Sequence, residues 1–254
     1  MELSITILVS LFALAMVAGF IDAIAGGGGL ITIPALLMTG MPPALALGTN
    51  KLQSTGGSFA ASFYFLRNKS LALRQVWMFI LWTFIGATIG AIAIQLIDAT
   101  LIKKAIPFLV LAIGLYFLFT PSLGQESRAA KISTTLFGLC ACFPIGFYDG
   151  FFGPGTGSLF SLAFVVLLGF ELPKATAHAK VMNFTSNLAS LIFFCIGGKV
   201  LWTVGLVMLI GQMIGASLGA KMVMTKGKKI IRPMVVVMSL IMTAKMAYKQ
   251  GWFG

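Results

Sequence analysis

Apolar residues run along this chain in long unbroken stretches, at about 4–25, 44–66, 75–97, 104–120, 131–152, 181–197, 200–220 and 231–249. Most are near the ~20 residues that an α-helix needs to cross a hydrocarbon core. Eight long membrane-spanning helices are therefore expected. Two further apolar stretches, 30–39 (LITIPALLMT) and 158–169 (SLFSLAFVVLLG), are too short to cross alone, and each directly follows a glycine-rich break. They read as broken or re-entrant half-helices. The predicted fold class is all-α, a polytopic integral membrane protein forming a single membrane domain over 1–254.

Composition agrees with that pattern. The chain is 59% hydrophobic and only 9% charged, with a mean hydropathy of +1.01, whereas soluble chains carry about 25% charged residues. Its surface faces lipid. Eighteen basic and six acidic residues give a net charge of +12. The basic residues sit mainly between apolar runs, as loop charges do in membrane proteins, so nucleic acid is not expected as a partner. No positive n-region precedes the first apolar run, so that segment is expected to remain as a span. Cys140, Cys142 and Cys195 lie inside apolar segments, which argues against a disulfide framework or zinc ribbon.

An internal repeat organises the chain. Gly19-Phe20-Ile21-Asp22 followed by Gly26 to Gly29 recurs as Gly146-Phe147-Tyr148-Asp149 followed by Gly153, Gly155 and Gly157. Lys51-Leu52-Gln53-Ser54 aligns with Lys180-Val181-Met182-Asn183, Gly86 and Gly90 with Gly215 and Gly219, and Ile106-Pro107 with Arg232-Pro233. The offsets stay between 126 and 129. Repeat one spans 1–120, a linker 121–130, and repeat two 131–254.

Loop charge suggests that the two copies run in opposite directions, because Lys and Arg accumulate on the cytoplasmic side. Arg67, Lys69 and Arg74 fill a turn whose counterpart holds only Lys199, while Lys103 and Lys104 face a counterpart with Lys221, Lys226, Lys228, Lys229 and Arg232. This predicts an inverted repeat, with 67–74, the linker and 226–232 in the cytoplasm and both termini periplasmic.

Irregular backbone survives at membrane depth only where it is buried in protein or lines a cavity. Each glycine break precedes a short helix, so free N–H groups and a positive dipole end point inward, which suits an anion. Discontinuous helices at matching places in two halves mark the binding site of many transporters. The candidate substrate-binding residues are Gly26, Gly27, Gly28, Gly29, Gly153, Gly155, Thr156 and Gly157 at the breaks, with Thr49, Asn50, Lys51, His178, Lys180, Asn183 and Asn187 on the helices that follow. Gln53, Ser54 and Thr185 continue the polar pattern. The competing reading of the break glycines is close helix packing, which is the preferred reading for Gly86, Gly90, Gly215 and Gly219. Lysines near a span end can also snorkel to the interface, and the lone His178 can simply be packed.

Asp22 and Asp149 are the only carboxylates within the apolar spans. They either move protons for coupling or balance charge, capping the breaks and pairing with the lysines. No nucleotide motif follows the four glycines, because Gly-Lys-Ser/Thr is missing. With one histidine, no histidine-based metal cluster is possible. The reading calls for no cofactor, metal, nucleotide or catalytic residue; its partners are a small anion, membrane lipid and, as an assembly, a homodimer. Rival readings are a membrane enzyme, an anion channel and a non-catalytic membrane subunit of a larger complex.

The run from Gly19 through Gly29 with Pro34, then Thr49-Asn50-Lys51, then Gly146 through Gly155 and Ala175-Thr176-Ala177-His178-Ala179-Lys180, resembles the TauE/SafE family, and its YfcA-like subgroup in particular. The resemblance covers almost the whole chain. It implies a bacterial inner-membrane transporter of sulfur-containing anions such as sulfite or organosulfonates, commonly moved outward, and the missing nucleotide motif favours secondary transport or facilitated diffusion over an ATP-driven pump.

Overall fold

The computed structural model describes residues 4–68, 71, 73–97 and 128–226. The expected spans at 104–120 and 231–249, positions 121–127 of the linker, both termini, and Lys69, Lys103, Lys104, Lys228, Lys229 and Arg232 lie outside the described residues.

The first half opens with α1 (Ile5–Ala25), α2 (Gly28–Met38), α3 (Pro43–Arg67) and α4 (Leu73–Leu96). The second comprises α5 (Thr134–Phe137), a π-helical turn (Gly138–Cys142), α6 (Phe143–Phe151), α7 (Thr156–Leu168), α8 (Leu172–Ile196) and α9 (Trp202–Lys226). The described residues contain no strand. Both short helices stand where the apolar stretches at 30–39 and 158–169 predict them.

Local chemistry sets the helix ends. The Ser4 hydroxyl accepts the Ile7 N–H at 3.4 Å to start α1, and Gly26 ends it in the left-handed region at φ 77°. Proline at the first helical turn opens both α3 and α8. The expected unbroken helix at 131–152 is instead interrupted by the π turn, where the Phe143 N–H reaches back five residues to the Gly138 carbonyl. Pro144 follows, and having no N–H it cannot complete the α-helical bond to Cys140, which favours the widened turn. Helix α8 begins nine residues before the expected 181, because Lys174, Thr176, His178 and Lys180 interrupt the apolar pattern in its first turns.

The polarity of the molecule is turned inside out relative to a water-soluble protein. On α3, Thr49, Asn50, Lys51, Gln53 and Ser58 are buried, while Phe59 and Phe63 are 46% and 55% exposed. Outward rows such as Leu206, Ile210, Ile214 and Leu218 on α9 are likewise apolar. An outer surface of this kind suits hydrocarbon, which leaves the interior for polar groups. Four described segments are long and apolar enough to cross a membrane: α1, Val76–Leu96 of α4, α8 and α9. Helix α3 has the length but carries too much polarity to join them.

Packing between the halves is reciprocal. Helix α1 lies along α9 and α4 along α6; α3 meets α9 as α4 meets α8; α3 and α8 pack together at the centre. Small residues permit these contacts. A Cβ at Gly215 or Gly219 would collide with α1, near Met16 and Phe20, and one at Gly86 or Gly90 with the Phe143 or Phe147 carbonyl of α6. These four glycines are packing residues, as their small-xxx-small spacing suggests. The last described part of the linker is pinned as well, since the Arg128 N–H donates to the Gly169 carbonyl at 2.8 Å.

Candidate functional site

The site forms where two interrupted helices meet. Asp22 sits in the last turn of α1, one turn before left-handed Gly26, and its Oδ1 accepts the Gly28 N–H at 3.1 Å across the break. One free donor at the start of α2 is thereby satisfied, and the carboxylate lies at the positive end of that helix. Asp149 holds the corresponding place at the end of α6. Its Oδ1 accepts the Thr156 hydroxyl at 2.9 Å, from the first residue of α7, and its Oδ2 accepts the Ser186 hydroxyl of α8.

The two lysines cross between the halves. Lys51 on α3 reaches Asp149 Oδ1 at 2.9 Å and also donates to the Asp149 backbone carbonyl. Lys180 on α8 reaches Asp22 Oδ2 at 2.8 Å. Lys51, Lys180 and Asp149 are each 1% exposed and Asp22 7%. Such charges are tolerated at depth because each is paired and further hydrogen-bonded. Two ammoniums and two carboxylates sum to no formal charge.

The breaks also touch one another. A Cβ at Gly26 would fall on the backbone of Gly157 and Ser158, and the Ser158 hydroxyl donates to the Ala25 carbonyl. Left-handed Gly153 and Gly155, at φ 96° and 79°, turn the chain from α6 into α7. Between the breaks lies a polar cavity of about 280 Å³, counted to its open mouth. It is narrow enough to admit on the order of one water-sized molecule.

Eleven of the seventeen predicted site residues line this cavity: Asp22, Gly26, Gly29, Asn50, Asp149, Gly153, Gly155, Thr156, Gly157, Asn183 and Asn187. Gly28, Lys51 and Lys180 stand behind the wall, bonded to the two aspartates. Gly27 belongs to the first break without lining the cavity. Thr49 is engaged elsewhere, its hydroxyl accepting the Leu201 N–H at 2.9 Å. His178 faces away: its Nδ1 lies 2.8 Å from the Lys174 carbonyl and its ring packs on Phe164 and Phe170.

Ser54 lines the cavity though it was only part of the general polar pattern, and its signal is the repeat, which pairs it with Asn183. Ser186 carries no such mark, because its repeat partner is Gly57. Only its place one turn beyond Asn183, on the buried face of α8, hints at its role. Thr32 and Gln53 hold Asn50 from behind, donating to its Oδ1 at 2.6 and 2.7 Å.

A lipid-facing helical shell around a polar centre built from two interrupted helices is the architecture of a membrane transport protein. This chain belongs to the sulfite exporter TauE/SafE family, whose pattern it matches over residues 11–246. It is 65% identical over 253 residues to a Haemophilus influenzae protein described as a probable membrane transporter protein, covering 100% of this chain and 99% of that one. It is 53% identical over 238 residues to the probable membrane transporter protein YfcA of Escherichia coli, covering 94% and 88%. A more distant relative, the probable membrane transporter protein YunE of Bacillus subtilis, shares 24% identity over 237 residues, covering 84% and 87%. No solved structure matches the chain.

Proposed function

We propose that this protein is a bacterial inner-membrane secondary transporter that exports a small anion, a sulfur oxyanion or organosulfonate, through the cavity between the two glycine breaks. The observation that carries this reading is the joint construction of one polar cavity from both breaks, with helix N-termini of α2 and α7 beside it. The family's designation as sulfite exporters supplies the substrate class.

Transport then follows from relative motion of the halves. They are inverted copies, with eight spans in the whole chain and both termini periplasmic; support comes from the reciprocal packing of α1 on α9 and α4 on α6, and from lysines that cross to the opposite half. Rocking one copy against the other exposes the cavity to each side in turn. A space of about one water is too narrow for continuous flow of such an anion, which favours a carrier over an open channel.

Proteoliposomes preloaded with unlabelled sulfite should accumulate radiolabelled sulfite or sulfoacetate by counterflow; empty-vesicle levels for both compounds would remove the proposal. Single-cysteine labelling from outside intact cells tests the inversion. Asn68→Cys should be shielded and Lys199→Cys reactive, and equal reactivity contradicts opposite orientation.

A further inference from the structure

The candidate site presents donors that nothing among the described residues uses. Asn50 takes two hydrogen bonds on Oδ1, from Thr32 and Gln53, while its Nδ2 donates none. Asn183 likewise accepts Asn187 Nδ2 on Oδ1 at 2.5 Å, and its own Nδ2 donates none. Both residues line the cavity and are more than nine-tenths buried, at 3% and 5% exposed. The backbone adds to them. Among the described residues, Gly28 N–H is taken by Asp22, Leu30 N–H by Gly27, and Ser158 N–H by Gly155, but the N–H groups of Gly29 and Gly157 have no acceptor. Each half thus offers one glycine N–H and one carboxamide.

Buried donors left without acceptors cost free energy unless a ligand or water supplies them. The lysines are set back from that ligand, because neither Lys51 nor Lys180 lines the cavity and each ammonium is paired with an aspartate. Gly29 makes the same point by its shape. A Cβ there would meet nothing nearer than the Pro154 Cα at 3.5 Å and Asn50 Nδ2 at 3.8 Å, so packing does not require glycine at this position. The space it leaves belongs to the cavity.

Resting on the anion-transport reading, we propose that the substrate is a small oxyanion bound by uncharged donors: the amides of Gly29 and Gly157 and the carboxamides of Asn50 and Asn183. Lys51 and Lys180 neutralise the aspartates and do not touch it. The ligand bridges the two glycine breaks. Recognition by neutral donors in a buried site also rejects solutes that lack acceptors, since the donors would then stay unsatisfied.

The test is calorimetric titration of the purified full-length protein with sulfite and with methanesulfonate. Asn50→Asp and Asn183→Asp keep side-chain shape but replace a donor with a carboxylate, and each should weaken binding at least about ten-fold. Gly29→Ala should leave the ligand-free unfolding temperature unchanged or higher while weakening binding about ten-fold, which separates a site effect from a folding effect. Wild-type binding that all three variants retain overturns this inference and leaves the transport reading intact. Wild-type protein that binds neither probe overturns both.

Discussion

The two buried ion pairs occupy matching places in the halves yet are built to different standards. Asp149 receives an ammonium and two hydroxyls, from Lys51, Thr156 and Ser186. Asp22 receives an ammonium and one backbone N–H, from Lys180 and Gly28, and remains slightly more exposed. The second-half carboxylate is locked by three side chains on three helices, whereas the first-half carboxylate is tied by one side chain and its own chain. Matching charges thus carry different support, and rigidity is expected to lie on the Asp149 side.

The largest effect should come from Asp149→Ala, which strands the Lys51 ammonium at depth and should cost about 3–5 kcal/mol of stability. Asp22→Ala should cost less in the same thermal unfolding assay; equal losses would erase the asymmetry. Removing both partners sharpens the point. Lys51→Met combined with Asp149→Leu should recover much of the loss of Asp149→Ala alone, because no uncompensated charge remains. Glycines of the first break give a contrast of intermediate size. Gly26→Ala must adopt positive φ and displace Ser158, so it should fail to accumulate in membranes, while Gly27→Ala, with Leu30 Cδ1 at 3.6 Å as its nearest contact, should accumulate normally. The smallest effect belongs to His178→Phe. It loses one contact to Lys174, about 1 kcal/mol, and keeps the aromatic packing, so sulfite counterflow should be unchanged.

Periodic and compositional signals made the helices readable. Runs of apolar residues located α1, α2, α3, α4, α7 and α9 to within a few residues at most ends. They misplaced the start of α8, where exposed Lys174 and the buried polar residues Thr176, His178 and Lys180 mimic a loop. The π turn was hidden because one proline in an apolar run looks tolerable until its missing N–H is traced to a particular carbonyl. At the site, the repeat singled out both aspartates and both lysines. Their pairing across the halves was not legible, since Lys51 is as near in sequence to Asp22 as to any partner, and only packing places it beside Asp149, 98 residues away. His178 was named for its chemistry, yet Phe164 and Phe170 hold it away from the cavity.

The crossing of the lysines has a consequence for how this protein is made. Asp22 and Lys180 are 158 residues apart, and Lys51 and Asp149 are 98 apart. During synthesis the leading segment therefore enters the bilayer with a carboxylate and an ammonium whose final mates have not been translated. Neither fragment of a chain severed between positions 121 and 127 should survive quality control alone, while the two expressed together should co-purify. Persistence of the leading fragment by itself would show that it finds interim partners during biogenesis.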